Sequence, residues 1–214
     1  MKRRFVAPSG ALLVLTWAAC AAPQSDAETG TDTMDAAAAA PTALAQELAC
    51  VQQRPDMDRA LSPYDSVVVP LGDANAQICY SKPSARGRMV FDSLVPYGQI
   101  WRTGANEPTI IHTPVPLSIA GIEVPPGSYS LYTVPARGDE WQVVVNRSIS
   151  QWGHEGEYTG EVEAQEVGRA PVPATSTTET VEQFTIRAEP AGANAATVIL
   201  EWVDTRVAIP VSTE

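Results

Sequence analysis

The chain has 214 residues, of which 44% are hydrophobic, and a formal net charge of −11 at pH 7. This length and composition are typical of a globular protein with one or two domains. The acidic charge argues against binding to nucleic acid or to anionic lipid surfaces, because these carry charge of the same sign. We therefore expect no nucleic-acid partner and one main hydrophobic core.

The first 22 residues have the pattern of an export signal. Positions 2–4 are basic, an apolar run follows at positions 11–19, and small residues surround Cys20. This order of basic, apolar and small residues is typical of segments that are removed after export. The apolar run is too short to span a bilayer as a mature helix. The sequence therefore predicts an exported protein.

Cys20 is a candidate lipidation site. The string Ala18-Ala19-Cys20 resembles a bacterial lipoprotein cleavage box, in which the cysteine becomes the lipidated first residue. Trp17 stands where that motif usually has leucine, so cleavage by an ordinary signal peptidase is the alternative. We expect the lipidated form, which makes the protein a periplasmic or outer-membrane-anchored bacterial lipoprotein that contacts the membrane through its lipid anchor only.

Residues 23–49 contain an alanine run and several acids but almost no large apolar side chains. Such a segment cannot bury enough surface to offset the entropy lost on ordering it. We interpret it as a flexible tether, and a transient helix over part of it is the alternative. Positions 1–49 hold three basic and five acidic residues, so the predicted domain, residues 50–214, has a net charge of −9.

Once Cys20 is assigned to lipid, two cysteines remain, Cys50 and Cys79. An even pair in an oxidising compartment is a disulfide candidate. Closing a loop of about 30 residues would stabilise the fold by roughly 3 to 4 kcal/mol. Two buried free thiols are the alternative, and the sequence does not decide between them.

From residue 66 onward, short runs rich in Val, Ile, Thr and Tyr alternate with Gly, Pro, Asn and Asp. This spacing predicts a single all-β domain, an antiparallel β-sandwich, with a jelly roll or a barrel as the alternatives. Few or no helices are expected, apart from one short helix around residues 91–94. The predicted strands are residues 66–69, 77–81, 109–113, 117–119, 128–134, 141–146, 161–167, 182–187, 197–202 and 206–209.

Several strings in this domain are distinctive. They are YSKPSARGR at 80–88, LVPYG at 94–98, WRTGANE at 101–107, PGSYSL at 126–131, Trp152-Gly153, Glu201-Trp202 and Arg206-Val207. Together they resemble a bacterial family known as domain-of-unknown-function family 2911, over residues 62–211. The resemblance implies an exported, mainly β protein and supplies no activity, substrate or catalytic residue. Lys82 stands where arginine is more usual in the family, which puts a guanidinium-specific role there in doubt.

The stretch from Arg88 to His112 is the candidate binding face. Polar side chains in a segment rich in glycine, proline and aromatics are typical of a loop-borne binding site. The structural alternative is that these side chains satisfy buried carbonyls and hold irregular loops in place. The ligand-binding candidates are Arg88, Tyr97, Trp101, Arg102, Asn106, Glu107 and His112.

The sequence contains no recognisable catalytic or metal-binding motif. His112 and His154 are the only histidines, and neither His-x-His nor Cys-x-x-Cys spacing occurs. A Gly-x-Ser-x-Gly nucleophile elbow is also missing. We therefore expect no metal or cofactor and favour a non-catalytic envelope module that binds a glycan, a small molecule or a protein. The alternative is a hydrolase with its site on the Arg88–His112 face.

Overall fold

The computed structural model describes residues 50–213, so the predicted export signal, Cys20 and the tether lie outside the described residues. Helical structure within this range consists of a short 3-10 turn (Glu155–Glu157) and the one-turn helix α1 (Gly160–Glu163). None of the helical segments described is long and apolar enough to cross a membrane. The strands are β1 (Tyr64–Leu71), β2 (Ala74–Ser81), β3 (Thr109–Thr113), β4 (Leu117–Ile119), β5 (Ile122–Val124), β6 (Gly127–Val134), β7 (Glu140–Asn146), β8 (Glu166–Gly192) and β9 (Ala195–Ser212).

The nine strands form one open sheet in the order β1-β2-β3-β6-β7-β8-β9-β4-β5. Each neighbouring pair in this order is antiparallel. In four of these pairs, β1-β2, β4-β5, β6-β7 and β8-β9, a short turn joins successive strands and reverses the chain. The predicted all-β, antiparallel class is confirmed.

The long strand β8 belongs to both halves of the sheet. Its first part pairs with β7 and its second part pairs with β9. Four strands separate β1 from β8 in the sheet order, yet β1 and β8 are in contact. Tyr80 on β2 reaches the same half, since its Oη accepts a hydrogen bond from the Ile186 backbone N–H at 3.0 Å. The sheet therefore folds over at β8, and the core lies between its two halves.

An aromatic cluster forms the centre of this core. The rings of Trp101 and Trp202 are stacked with centroids 5.8 Å apart, and Phe184 meets Trp101 edge-on at 5.2 Å. Phe91 and Trp141 pack edge-on at 5.1 Å in the same cluster. Such pairs add to the stabilisation that comes from burying large apolar surfaces. Because Trp101 belongs to the cluster, the core directly supports the loop that follows it.

Three local predictions need correction. The predicted strand at 161–167 is wrong at its start, because residues 160–163 form α1, where the Thr159 hydroxyl accepts a hydrogen bond from the Val162 N–H. Residues 91–94 form a turn and not a helix, with Asp92 at φ 74°. The two last predicted strands are one strand, β9, which continues through Val203 at φ 48°, while its partner β8 carries the extra residues of the register shifts between Ser176 and Thr185.

Residues 50–63 precede the first strand and form an N-terminal strap. Cys50 in the strap is joined to Cys79 on β2 by a disulfide. The Gln53 side chain donates to the Ile149 carbonyl at 2.9 Å, and the Arg54 guanidinium lies 4.1 Å from the centre of the Trp152 ring. The strap is thus fixed to the body of the fold by covalent, polar and cation–π contacts.

Candidate functional site

The loop of residues 101–107 is anchored at both ends by backbone hydrogen bonds. Trp101 exchanges two of them with Thr133 on β6, at 2.8 and 2.9 Å. At the other end, the Thr109 N–H donates to the Arg102 carbonyl at 3.1 Å. Short, closed loops of this kind hold their side chains in fixed positions, which a binding site requires.

Two residues of this loop have a left-handed backbone. Thr103 has φ 56°, which costs about 1 to 3 kcal/mol for a β-branched residue, and Asn106 has φ 64°, a conformation that asparagine adopts more readily. The Thr103 hydroxyl lies 3.1 Å from that of Thr133, and the Thr109 hydroxyl donates to the Thr103 carbonyl at 2.6 Å. Strain that the surroundings hold in place is concentrated at binding and catalytic sites. The loop is therefore the first place to look for one.

A cleft of about 210 Å³ opens beside the loop. It brings together four of the seven candidates predicted from sequence. We call it the arginine cleft. Its lining residues are Ser62, Pro83, Arg88, Leu94, Val95, Trp101, Arg102, Gly104, Ala105, Asn106, Glu155 and Trp202.

Arg102 is the central cation of the arginine cleft. Its Nη1 donates a hydrogen bond to the Gly153 carbonyl at 3.0 Å. Such a bond to a backbone carbonyl is what we expect if Arg102 holds the loop in place and does not bind a ligand. Its buried Nε has no hydrogen-bond partner among residues 50–213. The Glu155 carboxylate lies 3.8 Å from Nη1, beyond hydrogen-bond length. Burial lowers the pKa of Arg102, and the negative charge of Glu155 opposes this shift. Arg102 is thus a partly desolvated cation, 24% exposed, with one hydrogen bond to the protein and a long ion pair.

The close packing around Gly153 requires a glycine at this position of the Trp152-Gly153 string. A Cβ at this position would lie 2.4 Å from the Arg102 Cδ and 2.4 Å from the Asn106 carbonyl oxygen, which is closer than atoms can pack. The Gly153 N–H donates to that same carbonyl at 3.0 Å. The chain at 152–153 therefore packs backbone against backbone on the 101–107 loop, which only glycine permits.

Arg88 and Asn106 are partly occupied by the protein itself. Arg88 donates through Nε to the Ala85 carbonyl at 2.9 Å and through Nη2 to the Ser84 carbonyl at 2.7 Å. The Asn106 Nδ2 donates to the Ser81 hydroxyl at 3.3 Å. Arg88 accordingly holds its own loop in place, and Arg102 is the less compensated of the two arginines.

Glu107 does not face the cleft. Its side chain is 1% exposed and forms a two-pronged ion pair with Arg59 of the strap, at 2.8 and 2.9 Å. Arg59 also donates to the Ser81 hydroxyl, and its guanidinium lies over the Tyr64 ring. Burial, followed by the Glu107 charge, raises the pKa of Tyr64 to about 12. The ion pair joins the N-terminal strap to the 101–107 loop, which is a structural role.

His112 and Tyr97 also lie away from the cleft. His112 on β3 is 7% exposed, with Nδ1 2.8 Å from the Ser128 hydroxyl on β6, and burial lowers the pKa of its imidazole. The Tyr97 ring stacks on Phe91, and the Arg137 guanidinium lies 4.8 Å from its centre. Arg102, Glu107 and His112 therefore do not converge in one pocket, which the hydrolase alternative requires.

Sequence reasoning missed Arg59 and Glu155. Arg59 precedes the first strand and is 48 positions from Glu107, so no local pattern connects the two. Glu155 reaches the cleft from the 3-10 turn after Gly153. The only sequence signal for its position is the Trp152-Gly153 string two residues earlier. Both contacts depend on how distant loops pack together.

A larger groove of about 640 Å³ lies beside Tyr97 and Trp141. Its lining includes the carboxylate of Asp139 but no cation, and Trp141 is buried in the core. No group of three metal-ligating side chains occurs in the part of the chain that the structure describes. The arginine cleft is smaller, but it alone of the two combines a partly desolvated cation with a strained loop.

Comparison with known proteins identifies one relationship. A family model described as protein of unknown function (DUF2911) matches residues 62–211, more than two thirds of the chain. The match includes the sheet up to the last residue but one of β9 and the arginine cleft, and it begins at the end of the N-terminal strap. No curated protein and no solved structure matches the chain.

Proposed function

Because this chain belongs to the family described as protein of unknown function (DUF2911), we propose a function from the geometry of its arginine cleft. The protein is an exported, membrane-tethered module of the bacterial envelope that binds a ligand without transforming it. The ligand occupies the cleft beside Trp101 and Arg102. A small molecule, a glycan or a short segment of a partner protein fits this description.

The observation that carries the proposal is the state of Arg102. The Arg102 side chain is 24% exposed, and its guanidinium replaces the lost water with one hydrogen bond to the protein and a long ion pair at 3.8 Å. A ligand that accepts hydrogen bonds from this guanidinium replaces more of the lost water. The strained, anchored loop around Arg102 supports this proposal, because it positions the cation before any ligand arrives.

The hydrolase alternative has one observation in its favour. The His112 Nδ1 and the Ser128 hydroxyl are within hydrogen-bond distance, as a base and a nucleophile would be. No carboxylate forms a hydrogen bond with His112 among the described residues, so an orienting third group is missing. The two side chains lie opposite each other on neighbouring strands, which by itself accounts for their contact.

The binding proposal is tested by blocking the cleft. Ser62 lines it, so a Ser62→Trp substitution fills the space and leaves Arg102 in place. We expect a library of amino acids, organic acids, peptides and oligosaccharides to contain ligands that shift NMR signals of the wild-type protein but not of Ser62→Trp. The matched control is Val68→Trp on the exposed side of β1, which should bind like the wild type.

Two results would contradict this proposal. One is a ligand set that binds Ser62→Trp as well as it binds the wild type. The other is turnover of any library member, together with labelling of Ser128 by a fluorophosphonate, which would favour the hydrolase.

Attachment to the membrane is proposed through Cys20. The small residues before Cys20 and the acidic, apolar-poor segment after it support this proposal. We expect Cys20→Ser to move the protein from the membrane fraction to the soluble fraction without changing its melting temperature. An unmodified N-terminus on a soluble wild-type protein would contradict lipidation.

A further inference from the structure

We propose that the arginine cleft selects a monoanionic carboxylate that carries a small apolar group, such as the end of a peptide or a short branched acid. This inference deepens the proposed binding function and rests on it. It assigns the carboxylate to Arg102 and the apolar group to the side of the cleft formed by Leu94 and Val95.

The first support is the contrast between Arg102 and other arginines of the domain. Arg102 has its nearest carboxylate oxygen 3.8 Å away. Five of the other nine arginines in residues 50–213 have a carboxylate within hydrogen-bond distance, and the remaining four, like Arg102, do not. The five paired arginines set the comparison. They are Arg59 with Glu107, Arg137 with Asp92, Arg169 with Glu166, and Arg187 and Arg206 with Glu201. In so acidic a protein, a cation that is partly desolvated and yet lacks a close carboxylate is suited to an incoming one.

The second support is the apolar surface at the cleft. Leu94 is 43% exposed and lines the cleft together with Val95 and Pro83. Leu61, which is 63% exposed, is next in sequence to the lining residue Ser62. Large exposed apolar side chains that adjoin a polar cleft are typical of a surface that a ligand covers. A ligand with an apolar group beside its carboxylate would cover this surface.

The third support is the size of the cleft. A volume of 210 Å³ corresponds to about seven water molecules at roughly 30 Å³ each. Pockets for drug-sized ligands range from about 300 to 1,000 Å³. The cleft therefore accepts one amino-acid residue or a short acid, and it excludes nucleotides and oligosaccharides from complete enclosure.

Charge also separates a carboxylate from a phosphate. Arg88, the second arginine at the cleft, is held by the carbonyls of Ser84 and Ala85. Glu155 adds a negative charge to the lining, and its side chain is 40% exposed. Arg88 and Arg102 bring two positive charges and Glu155 one negative charge, so the lining has a net charge of +1, which balances a single negative charge but not the double charge of a phosphate. The balance of charges thus favours a monoanion.

Replacing Glu155 gives the most direct test of carboxylate binding at Arg102. Its carboxylate is the closest one to Arg102, and no hydrogen bond to it occurs within residues 50–213. It therefore competes with a ligand carboxylate for Arg102 and repels that ligand, and its other contact with a charged or titratable side chain is a long one, 3.8 Å to the exposed His154. Glu155→Gln removes the competing charge and keeps the side-chain shape, so it should tighten carboxylate binding severalfold.

The experiment uses the mature, full-length protein and two matched probes, Nα-acetyl-leucine and Nα-acetyl-leucinamide, titrated by NMR or calorimetry. We expect the acid to bind at least about tenfold more tightly than the uncharged amide, because a charge-assisted hydrogen bond is lost in the amide. Arg102→Gln should lower the affinity for the acid by a similar factor. Arg137→Gln, an exposed arginine outside the cleft, is the control and should bind the acid like the wild type.

The source of the carboxylate is distinguished by two further probes. Tighter binding of acetyl-Ala-Ala-Leu than of acetyl-leucine supports a peptide end, and equal binding of isovalerate supports a free acid.

Equal affinity for acid and amide at a cleft that Ser62→Trp still blocks would overturn the carboxylate assignment but leave the binding function standing. Tighter binding of inorganic phosphate, or no tightening by Glu155→Gln in a folded protein, would also overturn it. If neither leucine probe binds, the carboxylate assignment is also overturned. The library screen then tests the binding function separately.

Discussion

Replacing Glu107 with alanine is expected to lower the free energy of unfolding by about 3 to 5 kcal/mol, because it leaves Arg59 as a buried charge without its partner. Glu107 is 1% exposed and Arg59 is 10% exposed, so water cannot replace the lost carboxylate at little cost. Arg59 also loses two hydrogen bonds, at 2.8 and 2.9 Å. The change is measured by urea denaturation of the variant and the wild-type protein.

The control for this prediction is Glu163→Ala. Glu163 lies 3.7 Å from Arg169 and is 64% exposed, and surface ion pairs contribute at most about 1 kcal/mol. A double variant, Arg59→Met with Glu107→Leu, removes both charges and should recover most of the loss, since it leaves no unpaired buried charge. A loss below about 1 kcal/mol for Glu107→Ala would show that the ion pair is open to solvent.

Removing the disulfide is expected to cost about 3 to 4 kcal/mol, because Cys50 and Cys79 are 29 positions apart and close a loop of that length in the unfolded chain. Cys50→Ser is the suitable change, since Cys50 is half-buried whereas Cys79 is 1% exposed and its replacement would also disturb the core. Urea denaturation should show the same loss for Cys50→Ser and for the wild-type protein under reducing conditions.

The disulfide and the ion pair hold the same strap, so their losses should not add. Once Cys50 is released, part of the strap's attachment is gone before Glu107 is replaced, and neighbouring contacts that share one element are coupled. We expect the Cys50→Ser, Glu107→Ala double variant to lose less stability than the sum of the single losses. Full additivity would indicate that the two contacts act on separate elements, and an unchanged stability in Cys50→Ser would contradict the role of the disulfide.

The strands were predictable where local sequence contains their pattern. Residues 109–113 and 117–119 were predicted with their observed bounds, because β-branched runs between turn residues specify them locally. The helical turn at residues 160–163 was not predictable in this way. The alternation of residues in this Glu- and Val-containing stretch does not distinguish a strand from a single helical turn capped by Thr159. The continuity of β9 through Val203 depends on its partner β8, which takes up two register shifts between Ser176 and Thr185, and it has no local signal.

The candidate site, too, was predictable from the sequence only where its residues are neighbours along the chain. The 101–107 loop was identifiable because its glycine, aromatic and polar residues are adjacent in sequence, and four predicted residues do line one cleft. By itself, the sequence determined the all-β class, the family and a segment that contributes four candidate residues to one cleft, all of which depend on neighbouring residues. Only the tertiary structure decided that Glu107 is paired with Arg59, that His112 lies elsewhere, and that Arg102 lacks a close carboxylate. The physical reason is that burial and charge compensation depend on which distant segments the fold brings together, and no periodicity along the chain encodes that.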